Sequence, residues 1–230
     1  MSSSITTVLY KGRRVPVSEY LDEEHSQMQA AILQFHRRFS ELELAASALL
    51  HAILDGRNSK VPYAIYYSVN SFEARIGIVQ NALIEFVSEH KDDLGVIIEE
   101  SCWPYMASKI RKVREIRNAL AHGTAHTLSI GNKPYVRVVP PVFDVIRISR
   151  RVANREIPGL KWTDIWEGGK PMVPMVDCLD HINRILTAYH QHGSKSPTLP
   201  DRLLELKAGL QSLRDLYQTG QKQSGPLPSH

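Results

Sequence analysis

The chain has 230 residues, 43% hydrophobic and 23% charged, with a formal net charge of +4 and a pI near 9.0. That balance is ordinary for a folded protein and long enough for one domain, or one with an appendage, to bury a core. No apolar run approaches the ~20 residues needed to span a bilayer, so no membrane partner is expected. The polar N-terminus lacks the basic and apolar regions of a secretory signal. Cys102 and Cys178 give neither a disulfide framework nor a metal spacing, and the expected setting is cytoplasmic and reducing.

Residues 1–24 are expected to form an N-terminal arm, with a short strand at Thr6–Tyr10 and an extended Val15-Pro16-Val17. Ser18 followed by Glu19 suits a helix start. Apolar residues then recur in steps of four and three at Met28, Ile32, Phe35, Phe39, Leu42, Ala46, Leu49 and Ile53. This spacing predicts one long helix over about 20–54, stopped near Asp55-Gly56. Pro62 fits the first turn of a second helix. The same spacing at Ile65, Val69, Phe72, Ile76, Val79, Leu83 and Phe86 carries that helix to about residue 90. These two should be the longest helices and should pack as an antiparallel pair.

A short helix is expected within 91–100, and Ser101-Cys-Trp-Pro104 opens the next long one. Thr127–Ile130 and Tyr135–Val139 alternate around a Gly-Asn-Lys-Pro turn, the pattern of a β-hairpin. Residues 142–173 are less regular. Val145–Ile148 suits an extended segment, and Pro158-Gly159 and Gly168-Gly169 suit turns. Arg147, Arg150, Arg151, Arg155 and Lys161 make this region basic. It is either a solvated face or, with Arg150 and Arg151, a contact for an RNA backbone.

Met175, Leu179, Ile182, Leu186 and Tyr189 mark a later helix after Pro174, and Leu203, Leu206, Leu210, Leu213 and Tyr217 a last one. Nearby His181, His190 and His192 lack acids or cysteines at ligand spacing, so neither metal nor cofactor is expected. The predicted fold is therefore all-α, an up-down helical bundle with a small β-hairpin insertion. The main domain is expected over 25–192, with hairpin and basic loop at about 126–173, a C-terminal helix at 193–218, and a disordered tail at 219–230.

The densest chemistry lies at residues 109–123. Lys109, Arg111, Lys112, Arg114 and Arg117 stand against the single anion Glu115, a local net of +4. The apolar spacing Met106, Ile110, Val113 leads to Arg117, where a hydrophobe is due, unless Ile116 takes the seam. Gly123 suits a left-handed helix stop, which leaves His122 in the last turn at the cation-favouring end of the helix dipole. Asn118 and His122, four apart, share a face. Arg117 lies about 140° around and about 7.5 Å along an ideal helix from His122. A forked guanidinium near an imidazole, a residue type that titrates near neutrality, suits phosphate chemistry. It equally suits a well-capped helix end.

Arginine, a polar residue, and histidine a few residues on, near the end of a core helix after two earlier helices, resembles the signature of HEPN domains. Arg117, Asn118 and His122 occupy the three positions. The resemblance extends over residues 25–192 in helical order, but only the motif is residue-specific. It implies an all-α domain and a metal-independent endoribonuclease of the kind found in toxin–antitoxin and defence systems. It also implies a homodimer in which two motifs share one cleft. Arg117, His122 and Asn118 would then be catalytic, and Arg111, Lys112, Arg114, Arg150 and Arg151 would bind RNA. A cognate antitoxin protein is a further implied partner. An early-helix acid, Glu41 or Glu43, would support the motif arginine. The alternative is a HEPN-like interaction or dimerisation module without catalysis, and a third reading keeps only a helix end.

Overall fold

A computed structural model describes residues 7–55, 59–95, 97, 102–130, 133–139, 158–193, 200–202, 204, 205, 208 and 211, with side chains at 102–108, 111 and 130 excluded. The described chain is mainly helical, with two small antiparallel β-hairpins. It divides into two compact units, Met1–Arg37 with Lys112–Lys170, and Arg38–Arg111 with Pro171–His230. Among the described residues no helix is long and apolar enough to cross a membrane.

In the first unit, β1 (Thr7–Tyr10) pairs with β2 (Arg13–Pro16) in register Thr7↔Pro16 to Tyr10↔Arg13. The two-residue turn uses left-handed backbone at Lys11 and Gly12 (φ 49° and 81°), which suits the twist of a tight hairpin. The extended arm is thus folded, and α1 (Val17–Ile53) begins one residue before Ser18. Tyr20, Met28, Ala31 and Phe35 are buried along its N-terminal half, while Ile32, expected on the seam, is half-buried.

The second hairpin is longer than its alternation suggested. β3 (Thr124–Ile130) pairs with β4 (Lys133–Val139) from Thr124↔Val139 to Ile130↔Lys133. Val138 also exchanges backbone hydrogen bonds with Leu160 (3.0 and 2.9 Å), and Gly159 turns the chain there with φ 91°. Next comes a helix that the sequence did not announce, α6 (Trp162–Gly169). Gly168 and Gly169 lie buried inside it rather than forming a turn. A Cβ on Gly168 would stand 2.0 Å from Ile116 Cδ1, so this glycine permits close helix packing.

In the second unit, the C-terminal half of α1 buries Phe39, Leu42, Ala46, Leu49 and Ile53. The single helix expected over 62–90 is instead α2 (Val61–Ser68) and α3 (Phe72–Glu89), with Val69 extended between them. Pro62 and Tyr66 are buried where Ile65 was expected, and Ile65 is exposed. Ser71 Oγ accepts from the Ala74 amide (3.5 Å) as the N-cap of α3. Arg75 holds the break closed. Its Nε donates to the Val69 carbonyl (2.6 Å), its Nη1 pairs with Glu43 (2.7 Å), and its guanidinium lies over Tyr66 and Tyr67. His51 against Tyr63 and Phe39 against Phe72 show the chain folding back along α1.

α4 (Lys91–Leu94) is the short helix expected in 91–100. α5 (Cys102–His122) and α7 (Met172–His192) follow at 21 residues each, so both exceed the 18 of α3. Pro174 lies inside the first turn of α7, and Met175, Cys178, Leu179, Ile182, Ile185 and Leu186 are buried. Tyr189 donates to Asp93 (3.0 Å), and His190 Nε2 lies 2.8 Å from the Ala52 carbonyl oxygen. Residues 200–202 are helical, as expected there. Leu203, Leu206, Leu210, Leu213, Tyr217, the extended segment Val145–Ile148 and the tail 219–230 lie outside the described residues.

Candidate functional site

α5 carries the motif to its last residue. Ile110, Val113 and Ile116 are buried, so Ile116 takes the seam and Arg117 turns off it, half-buried. Arg117 Nη1 donates to Asn118 Oδ1 (3.3 Å), and Asn118 is exposed on the face that ends in exposed His122. The helix end thus presents a guanidinium, an amide and an imidazole within about one and a half turns. Such a set can hold a phosphate oxygen and accept a proton beside it.

Gly123 stops the helix, but not by the expected left-handed turn, since its φ lies outside the positive range. A Cβ there would lie 2.3 Å from the Ala119 carbonyl oxygen, 2.7 Å from Val138 Cγ1 and 3.2 Å from the Val139 carbonyl oxygen. Glycine is required by close approach. The chain enters β3 at once, and β4 lies against the helix end. His126, the nearest other histidine in sequence, is exposed on β3 with Nε2 3.2 Å from Thr124 Oγ1.

The expected RNA contacts are only partly described. Arg114 is half-buried and Lys112 exposed. Lys112 borders a cavity of about 380 Å³ whose other charged lining residues are Glu115, Asp164 and Glu167. Three carboxylates around one ammonium make a poor seat for phosphate. The side chain of Arg111, and Arg147, Arg150, Arg151 and Arg155, lie outside the described residues. Glu41 is exposed, and Glu43 is engaged by Arg75. Among the described residues no group of three histidines, cysteines or acids could hold a metal ion.

A second constellation has no counterpart in the motif. Arg137 is 5% exposed on β4 and Glu24 8% exposed on α1. Arg137 Nη1 donates to the Val136 carbonyl (2.6 Å), while its Nε is buried with no hydrogen-bond partner among the described residues. Burial pulls the Arg137 pKa below its ordinary value, against the opposing charge of Glu24. The Tyr20 phenol is pushed up, first by burial and then by Glu24. Two signals were present in the sequence. Glu24 continues the seam one step before Met28, and Arg137 interrupts the apolar run of β4.

No protein-family model matches the chain, and no curated protein or solved structure is significantly similar to it.

Proposed function

We propose that this protein is a metal-independent endoribonuclease of HEPN type, acting as a homodimer in which two motif helices share one cleft. The observation that supports it most is the helix end itself: Arg117 held to Asn118, with His122 exposed one turn further on. In this reading His122 takes the proton of an RNA 2′-hydroxyl, and that oxygen attacks the adjacent phosphorus. Arg117 neutralises charge building on the phosphorane oxygens. The P–O5′ bond breaks, and the departing oxygen takes a proton from the second copy's histidine. The products are a 2′,3′-cyclic phosphate and a free 5′-hydroxyl. The helices would form the expected up-down bundle, and an antitoxin protein would act by covering the cleft.

The acidic surroundings of Lys112 favour a second reading, a HEPN-like interaction module that binds a protein rather than cutting RNA. One assay separates them. Purified protein in EDTA should cut single-stranded RNA, leave DNA intact, and yield 2′,3′-cyclic ends. Activity that disappears with EDTA would remove the mechanism, and intact RNA throughout would leave the interaction module.

A further inference from the structure

The first unit contains a cavity of about 250 Å³ between β1, the start of α1, β4 and the start of α6. Alternation along β4 puts Lys133, Tyr135 and Arg137 on one face, and all three line it. Both cations lie over the Tyr135 ring, at 5.5 and 5.4 Å from its centroid. Tyr10 and Tyr20, in edge contact at 5.0 Å, form another part of the wall, and Trp162 a third. Glu24 and Lys161 complete the charged lining.

Two features separate this cavity from ordinary core. Its lining carries three cations against one carboxylate, so it favours an anion and opposes a cationic guest of the kind aromatic cages hold. Second, Glu24 and Arg137 are both buried within electrostatic reach, yet no ion pair joins them among the described residues. Arg137 Nε remains a buried donor with no hydrogen-bond partner among the described residues. A buried guanidinium donor left unmet is costly unless a further group meets it, and the cavity that Arg137 and Glu24 both line is where such a group would sit.

We propose that this cavity binds a guanine base carrying a phosphate. Guanine offers adjacent N1–H and N2–H donors to a carboxylate and O6 and N7 acceptors to a guanidinium. Adenine and uracil lack the paired donors, and cytosine covers less of the aromatic wall with its single ring. Tyr10, Tyr20 and Trp162 supply the stacking surface. Exposed Lys133 and Lys161 reach the phosphate at the rim. The base comes either from a free nucleotide or from single-stranded RNA. The site stands apart from Arg117 and His122 and does not depend on whether the chain cleaves RNA.

Calorimetry with the full chain tests it. 5′-GMP should bind saturably and at least about tenfold more tightly than AMP or UMP, and Glu24→Gln should weaken it on the order of 10- to 100-fold. Lys161→Ala should weaken GMP while sparing guanosine, because only GMP carries the phosphate. Arg137→Met is interpretable only if its circular dichroism matches wild type, so Glu24→Gln and Lys161→Ala carry the test. A labelled uridine nonamer with one central guanosine, set against the all-uridine nonamer, distinguishes the source. Preference for guanosine in the nonamer indicates RNA; GMP binding without that preference indicates the free nucleotide. Equal affinity for GMP, AMP and UMP, no binding of GMP or the nonamer, or binding indifferent to Glu24→Gln would overturn the proposal.

Discussion

Arg117 is half-buried beside an exposed asparagine and an exposed histidine at a helix end. Arg137, in the same compact unit, is buried on a hairpin strand against Tyr135, with a buried carboxylate nearby. The first arginine stands at a helix end whose neighbouring Asn118 and His122 are exposed. The second is buried and lines a cavity of about 250 Å³ with an exposed rim, a volume suited to one base. Only the first belongs to a short sequence pattern, because its partners are one and five residues away. Glu24 and Arg137 are brought together by tertiary structure alone. A motif search therefore finds sites built on one element and misses sites assembled from several.

The comparison is sharpest under mutation of the open end. If His122 is the base, His122→Ala should lower RNA cleavage by about 10²- to 10⁴-fold. Arg117→Ala should do the same, and His126→Ala should change little. His122 is exposed, so His122→Ala should leave stability within about 0.5 kcal/mol of wild type in urea titrations. Cleavage that survives His122→Ala would break the assignment.

Gly123 is where the two regions meet. Alanine there must displace the Ala119 and Val139 carbonyls and Val138. Overpacking of this kind costs about 1–3 kcal/mol. Gly123→Ala should therefore lower the denaturation midpoint and disturb both ends at once: His122 precedes it, and β4 carries Arg137. An alanine variant as stable as wild type would mean that the helix end and hairpin move apart easily.

The long seams were legible because steps of four and three persist over many turns, as they do from Met28 to Ile53. The same regularity concealed the break between α2 and α3. Val69 fits the period, yet Ser71 caps a new helix and Arg75 bonds to the Val69 carbonyl. α6 was hidden for the opposite reason. Its paired glycines carry the composition of a turn, but their small size serves helix packing against Ile116. The motif helix was legible to its last residue, whereas the reason for Gly123 was not, since close approach by Val138 is a long-range fact. Glu24 and Arg137 each broke a local apolar pattern. Neither break names the other, so the cavity was visible only in three dimensions.

The smallest expected effect concerns pH, and it belongs to the region around Arg137. The Tyr20 phenol is held above its ordinary value of 10.0, chiefly by burial and secondly by Glu24. A raised value means that the folded state favours the neutral phenol. Its contribution to stability is complete below the ordinary value and is lost as pH rises through the higher folded one. Stability should therefore fall above about pH 10, and Tyr20→Phe, which cannot ionise, should flatten that fall. It should not abolish it, because the buried Tyr66 phenol of the second unit is pushed up in the same direction. Urea midpoints at pH 8, 10 and 11 would measure the difference between the two proteins. Parallel curves would mean that Tyr20 ionises as freely folded as unfolded, and the cavity wall would then be wetter than the burial of Tyr20 and Glu24 implies.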